Sequence, residues 1–355
     1  MKNKKNILHF VFIIIFLMMI LAPNVVMFFN LETTENNENR KFEKAPEFNL
    51  KNPINSMTQF KNYYTENFGL KSTLVNNYID FKFKVLHETP MPNKVVKGLN
   101  DWYFLGNSYN NTLNNAFGNN TFNTDELQEV SKKISELKAY LNNQNIAFYI
   151  VVPPNKNSIY KEFLPFHFKV HESNLSVLKN YLKTHINFEI IDLTETLLAQ
   201  KSKTQLYLKT DSHWNDFGAF IGYQETMNVI NQDFNIPVVT LEDYDIQIKP
   251  VKQGDIIKMI NLNIEESAAT FTKKATAINP ANNNNNDDEK LVMHYDSFSY
   301  TWMPFFNESF KNVNYVDNYY VSKKNIEAEK PTIVIFEIVE RHIDMFLNKK
   351  SLLVN

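Results

Sequence analysis

The chain has 355 residues, 43% of them hydrophobic and 14% aromatic, which supports a sizeable core and about two domains and excludes a disordered chain. Its net charge is −2 and its only arginines are Arg40 and Arg341, so it offers no basic footprint for nucleic acid. The absence of cysteine removes disulfides, thiolate nucleophiles and cysteine zinc sites, and its seven glycines form neither G-x-G-x-x-G nor G-x-x-x-x-G-K, which disfavours nucleotide-driven chemistry.

At the N-terminus "MKNKKN" precedes "ILHFVFIIIFLMMILAPNVVMFF", Ile7 to Phe29, an apolar stretch long enough to cross a bilayer as a helix and interrupted only by His9, Pro23 and Asn24. Lys2, Lys4 and Lys5 then place the start in the cytoplasm and the remainder outside by the positive-inside rule. No small-x-small cleavage site follows in "NVVMFFNLE", so the expectation is an uncleaved single-pass anchor rather than a signal peptide.

"LETTENNENRKFEKAPEFNL" (31–50) is polar and acidic and suits a juxtamembrane linker. Phe60, Tyr64 and Phe68, then Leu74, Tyr78, Phe81 and Val85, recur at helical spacing and predict the core stripes of two helices broken near Gly69. "VVKGLNDWYFLG" (95–106) predicts a strand pair turning at Asn100 and Asp101. Asn123 and Glu126 fit a capping box ahead of the stripe Leu127, Val130, Ile134, Leu137 and Leu141, which leads into the strand "IAFYIVVPP" (146–154). A helix near Asn174–Lys183 and the strand "FEIIDL" (188–193) repeat the αβ unit. "KLVMHY" (290–295) and "PTIVIFEIV" (331–339) lack alternation, as strands buried on both faces do. The pattern predicts an α/β fold with a parallel sheet covered by helices on both faces. "NPANNNNNDDEK" (279–290) reads as a solvated loop.

Two stretches carry chemistry. In "TDSHWND" (210–216), an extended segment would point Asp211 and His213 the same way, so the carboxylate orients one ring nitrogen and leaves the other for a nucleophile. The competing reading makes Asp211 a helix cap and His213 a surface imidazole. Ser297, in "KLVMHYDSFSYTWMPFF", sits where a buried strand ends and a helix begins, the edge at which parallel sheets assemble sites. Helix-start N–H groups there can stabilise an oxyanion. Alone, Asp296 and Ser297 read equally as an N-cap; both signals in one αβ domain favour the catalytic reading.

With these residues in place the chain resembles the alginate O-acetyltransferase family of the AlgJ and AlgX type, whose SGNH-hydrolase-like domain carries Asp-x-His-Trp and Gly-Asp-Ser-Phe motifs. Here they read "TDSHWN" (210–215) and "YDSFS" (295–299), and "ENRKFEKAPEF", "ENFGLKSTLV", "VVKGLNDWYFL", "VVPPNKNSIYKEFLP", "GDIIKMINL" and "IVIFEIVERHID" follow the family's order from about Glu38 to the end. The resemblance implies Ser297 as nucleophile, His213 as general base and Asp211 as its orienting partner in transfer of acetyl to a polysaccharide. It implies no cofactor or metal, and a membrane-bound O-acyltransferase as donor, because cytoplasmic acetyl-CoA is absent outside. The implied organisation is a start and anchor over 1–30, a linker over 31–55, a helix and strand extension packed on the catalytic domain over 56–120, and the SGNH-hydrolase-like catalytic domain over 121–355. The chain departs from the pattern at Tyr295, where the family has glycine, and its end soon after "ERHIDMF" suits the AlgJ layout rather than one with a carbohydrate-binding module.

Secondary candidates are weaker. Trp214 and Trp302 offer faces for a sugar ring or for core packing. Tyr295 lies beside the motif. Arg341 could hold a sugar carboxylate or pair with Glu340 as a local ion pair. Asn155 and Lys156 follow a strand at a site-forming edge and, with Tyr295, are candidates to contact substrate. His167 and His171 have i, i+4 spacing with no third ligand signposted, which favours a structural role. His294 reads as core or rim. Two rivals to acetyl transfer remain at this stage: an acetylesterase with the same acyl-enzyme, and a catalytically silent scaffold of a polysaccharide assembly complex, which Tyr295 favours.

Overall fold

The computed structural model describes residues 2–29, 31, 44–47, 49–86, 88–119, 121–166, 171–277, 289–348 and 350–355. Most of the expected linker, ten residues of the asparagine-rich loop, and His167 lie outside them. The chain divides into two units, Met1–Pro90 and Met91–Asn355, so the strand pair assigned to the extension belongs to the second unit.

The first unit is helical. Helix α1 (Lys2–Phe29) contains the 23-residue apolar stretch Ile7–Phe29, whose most apolar 18 residues have a mean hydropathy of 2.7. It is long and apolar enough to cross a membrane. Helices α2 (Pro53–Asn67) and α3 (Lys71–Asp80) form where the stripes predict and are separated at Gly69, and a π-helical turn, Phe81–Val85, continues α3; the stripes are not core, however, because Phe60, Leu74, Tyr78, Phe81 and Val85 are all exposed.

In the second unit, β1 (Val95–Lys97) and β2 (Tyr103–Leu105) form the expected hairpin. Asn100 and Asp101 both have positive φ, 53° and 61°, as the tight turn that matches strand twist requires. The main sheet contains β3 (Ala147–Val152), β4 (Ile191–Asp192), β7 (Lys290–His294), β8 (Asn312–Val316) and β9 (Ile333–Glu337). All pair parallel in the order β4-β3-β9-β7-β8. An antiparallel ribbon, β5 (Tyr244–Pro250) with β6 (Ser267–Lys273), stands apart from that sheet.

Alternation along the central strands divides the core. Ile150, Val152, Val292, Val334 and Phe336 pack with Leu127, Val130, Ile134, Leu137 and Leu141 of α4 (Thr124–Asn142) and with Leu175, Leu178 and Leu182 of α5 (Asn174–Ile186). Val151, Leu291, Met293, Ile333 and Ile335 face the other way, onto Phe220, Tyr223 and Met227 of α6 (Asp216–Ile230) and onto Trp302, Phe305 and Phe306 of α7 (Ser299–Ser309). Strands with both faces covered need no polar side, which is why they read as continuous apolar runs. The capping box forms: Asn123 Oδ1 accepts from Glu126 N at 3.0 Å, and Glu126 Oε2 accepts from Asn123 N at 2.8 Å. The strand expected over 188–193 contracts to Ile191–Asp192, because β4 lies at the sheet edge and pairs only with Val151 and Val152.

Candidate active site

Three neighbouring strands end on the same edge of the sheet. β7 is followed by Tyr295, Asp296 and Ser297, β3 by Asn155 and Lys156, and β9 by Glu340 and Arg341. This is the carboxyl edge at which parallel α/β sheets build their sites. Asp296 fixes the turn that carries Ser297: Oδ1 accepts from Phe298 N at 2.9 Å and Oδ2 from Val339 N at 2.9 Å, while its own N–H donates to Glu337 Oε2 at 2.8 Å. Burial opposes ionisation of Asp296, but His342 and the N–H groups of Val339 and Phe298 hold its carboxyl below the ordinary range. Burial pushes Glu337 well up, reinforced by the charge of Asp296. The N–H of Ser299 donates to Asp296 O. With Phe298 N also engaged, these two N–H groups are committed within the turn; Ser297 N–H has no acceptor among the described residues.

His213 Nε2 lies 2.8 Å from Ser297 Oγ, and His213 Nδ1 lies 2.6 Å from Asp211 Oδ1. A carboxylate only accepts, so Nδ1 carries the proton and Nε2 is left to accept from the serine hydroxyl. The three residues named from sequence therefore meet. The means differs from the one expected: residues 209–213 bend rather than extend, and His213 N donates to Asp211 Oδ1 at 2.9 Å, a local side-chain turn that folds the loop back on its own carboxylate. Asp211 does not cap α6; Asn215 does, accepting from Gly218 N at 3.1 Å. Burial works against the Asp211 charge, yet the bonds from His213 and from the N–H groups of His213 and Asp255 hold it well below the usual carboxylate range.

This bent loop is secured by groups whose role the sequence did not disclose. Asp255 accepts from Ser212 N and Ser212 Oγ, both at 2.6 Å, and donates its own N–H to Asp211 Oδ2 at 2.8 Å. Glu266, just before β6, accepts from Lys209 N at 2.6 Å, Thr210 N at 3.0 Å and Thr210 Oγ1 at 2.6 Å. Gly254 allows the approach, since a Cβ there would lie 2.1 Å from Thr210 O. The signal available was "GDIIKMINL", whose glycine followed by an acid marks a close backbone contact.

Lys156 turns inward. It is buried, and its ammonium donates to Leu208 O and Lys209 O at 3.0 Å and to Asp211 O at 2.6 Å, so it binds the loop's backbone rather than substrate. Burial pushes Lys156 down to about 7, against the pull of Asp255, Asp211 and Glu266. Asn155 is buried too, with its N–H on Glu340 Oε2 at 2.7 Å and its Oδ1 accepting from Arg341 at 3.4 Å. Arg341 is no exposed clamp: it is 8% exposed and its guanidinium lies 5.2 Å from the Phe298 ring centroid. Glu340, the partner expected for it, instead takes Asn155 N and Ser158 Oγ, and burial raises its carboxyl to about 7.

Neither tryptophan is a sugar platform. Trp214 and Trp302 are 1% and 0% exposed, and their indole N–H groups donate to Phe298 O at 3.0 Å and Ser299 Oγ at 2.8 Å. Trp214 thus ties the segment of His213 to the turn of Ser297, which explains its position directly after the histidine. Tyr295 is half-buried and points sideways, its ring edge-on to Tyr300 at 5.8 Å and Tyr315 at 6.1 Å. His294 is core, stacked on Phe336, and burial lowers it to about 4. Asp211, His213 and Asp255 bring three possible ligand atoms within 4.8 Å of one another. Their hydrogen bonds already use both carboxylates, Nδ1 carries the proton shared with Asp211 and cannot ligate while it does, and Nε2 is engaged by Ser297 Oγ.

A parallel sheet covered on both faces, with serine, histidine and aspartate in contact at its carboxyl edge, defines an α/β protein of the SGNH-hydrolase-like type. Residues 95–292 match the SGNH hydrolase-like domain of the acetyltransferase AlgX, and the chain belongs to that family. The match includes Asp211 and His213 and ends before Ser297, which the fold brings in. Among solved structures, Bacillus cereus PatB1 superposes with a TM-score of 0.53 at 21% identity, covering 71% of this chain and 98% of its own. Pseudomonas aeruginosa AlgX gives 0.51 at 17% identity, covering 72% of this chain and 66% of its own. The O-acetyltransferase domain of Pseudomonas putida AlgJ gives 0.49 at 16%, covering 71% and 92%. PatB1 and AlgX share the fold with this chain. No curated protein matches it by sequence.

Proposed function

We propose that the chain is a membrane-anchored polysaccharide O-acetyltransferase working outside the cytoplasmic membrane through an acetyl-serine intermediate, as in alginate-like exopolysaccharide modification. The contact between Ser297 Oγ and His213 Nε2 at 2.8 Å carries this reading, and family membership supplies the acyl class. Ser297 Oγ attacks the acetyl carbonyl of the donor as its proton passes to His213 Nε2, while Asp211 stabilises the imidazolium. The leaving group departs with that proton and acetyl-Ser297 remains. A sugar hydroxyl then attacks the ester, His213 takes its proton, and the serine oxygen leaves and recovers it. Ser297 N–H is the nearest backbone donor for the oxyanion. Helix α1 is the anchor, with Lys2, Lys4 and Lys5 inside, and a membrane-bound O-acyltransferase delivers acetyl.

Intact-protein mass spectrometry after brief exposure to an activated acetyl ester tests this. An acetyl adduct on Ser297, absent from Ser297→Ala and His213→Ala, is the expected result. A folded protein that gains no adduct and turns over no ester would end the acyl-enzyme reading. With adduct in hand, transfer to added polysaccharide, compared with release to water, separates transferase from esterase.

A further inference from the structure

Helices α2 and α3 leave apolar side chains open. On α2, Ile54, Met57 and Phe60 are 80%, 63% and 51% exposed; on α3 and its π-turn, Leu74, Tyr78, Phe81 and Val85 are 49%, 51%, 52% and 60% exposed. Leu74, Tyr78 and Phe81 fall within an arc of about 60° at 3.6 residues per turn, so α3 presents a continuous apolar strip. A cluster of this kind in water marks a contact surface.

What covers it is indicated by where the hairpin is seated. Tyr64 OH of α2 donates to Asn24 Oδ1 of α1 at 2.8 Å, and Asn24 Nδ2 donates to Ile20 O at 3.0 Å. The polar residue that interrupts the apolar stretch is thus satisfied from α2. At the turn between α2 and α3, a Cβ on Gly69 would lie 2.2 Å from Pro23 O and 2.8 Å from Met27 N, so the turn touches the backbone of α1. Pro23, Asn24 and Met27 all belong to the apolar stretch that ends at Phe29. Asn24 precedes that end by five residues, about 7 Å along a helix. If α1 spans a bilayer, Tyr64 and Gly69 therefore sit at the depth where acyl chains meet headgroups, the level that tyrosine favours.

We propose that α2 and α3 form an interfacial hairpin whose exposed apolar face is covered by the bilayer, in the leaflet entered by the C-terminal end of α1. The proposal rests on reading α1 as a span. Two helices clipped to a span at the interface lie in the membrane plane with their apolar sides buried about 5–10 Å into the headgroup boundary. Lipid then replaces water on Phe60, Leu74, Tyr78, Phe81 and Val85, which removes the cost of their exposure.

The absence of native cysteine makes single-cysteine labelling direct. The full chain, reconstituted in phosphatidylcholine vesicles, is labelled with a fluorophore at Phe16→Cys in mid-span, at Phe60→Cys, Tyr78→Cys and Val85→Cys on the apolar faces, and at Asn76→Cys on the opposite side of α3. Quenching by lipids with nitroxides at shallow or deep acyl positions is then measured. Deep quenching at position 16, shallow quenching at 60, 78 and 85 with a depth of about 5–10 Å, and none at 76 is the expected pattern. Deep quenching at 16 with the three face positions behaving like 76 would overturn the hairpin and leave the span standing. No quenching at 16 would remove the span and the hairpin together. Three face positions on two helices guard against one label disturbing its own site.

Discussion

Ser297 and His213 meet at 2.8 Å, yet the segments that carry them are held in different ways. Ser297 follows β7, a strand paired on both sides, and its turn is pinned to the adjacent β9 by Asp296, bonded to the β9 end, and by Glu337, which takes Asp296 N–H and Ser299 Oγ. His213 sits on an irregular loop with little sheet pairing of its own, only the isolated bridge between Tyr207 and Trp214. Lys156, Asp255 and Glu266 hold that loop by bonds to its backbone and to Ser212 and Thr210. One side of the site is therefore positioned from the sheet and the other by the buried Lys156 and the half-buried Asp255 and Glu266. The second arrangement is the easier to loosen, because each charge satisfies two or three groups that become unpaired together when it is removed.

Asp211→Asn is the largest break expected short of removing Ser297 or His213. The amide can present N–H to Nδ1 and so select the wrong imidazole tautomer, with Nε2 then protonated against the serine hydroxyl. Acylation by an activated ester should fall roughly 10⁴-fold with the fold intact. Stopped-flow release of the ester's chromophore measures it, and a loss below tenfold would show that Asp211 does not set the tautomer.

Lys156→Met comes next, and it separates the two sides. It leaves the carbonyls of Leu208, Lys209 and Asp211 without their shared donor, which should cost about 1–3 kcal/mol in urea unfolding. A displacement of the loop by about 1 Å would lower acylation on the order of 10²-fold. Lys156→Arg should recover stability better than rate, since a planar guanidinium cannot reach three carbonyls as a compact ammonium does. Equal loss of rate and stability in both variants would reduce Lys156 to packing.

Glu340→Gln probes the floor beneath Asn155. Burial raises Glu340 from 4.5 to about 7, so between these values the folded chain holds a proton that the unfolded chain has lost. The stabilisation is complete below pH 4.5 and is lost as pH rises through 7. Glutamine does not titrate, so its stability profile should be flatter across that window, by up to about 3 kcal/mol from the size of the shift. Urea midpoints at several pH values decide it; parallel profiles would mean that Glu340 titrates as an ordinary carboxyl.

The parts legible in the sequence were those written by short-range pattern. β3, β7 and β9 read as apolar runs because both faces are buried, α4 announced itself by its capping box, and Asp211, His213 and Ser297 stood in motifs beside those elements. What escaped were contacts across sequence. Asp255 and Glu266 lie 43 and 56 residues from the groups they hold, and they bind backbone N–H groups and the common hydroxyls of Ser212 and Thr210, which leaves no distinctive residue-pair signature. The β5–β6 ribbon that brackets them was missed although β5 alternates, and Ile248 on it is 72% exposed, so alternation there does not mark a core. The tryptophans stayed open between sugar and core because an aromatic beside a motif reads alike in either role; their burial and the indole N–H bonds to Phe298 O and Ser299 Oγ decide for the core.

Tyr295→Gly should have the smallest effect and bears on the sheet-built side of the site. A family glycine suggests that a side chain here would crowd the nucleophile. In this chain the Tyr295 N–H donates to Val316 O at 3.2 Å, continuing the ladder between β7 and β8, and the ring turns onto Tyr300 and Tyr315. The bulk is directed along the sheet edge and away from the Ser297–His213 contact. Glycine would remove two aromatic contacts, worth about 0.5–1.5 kcal/mol each, and add backbone freedom at the strand end. Stability should fall modestly while the acylation rate stays near that of the parent chain. A rate that rises by an order of magnitude would instead identify Tyr295 as an obstruction at the nucleophile, and would place the limit on activity in the half of the site that the sheet holds most firmly.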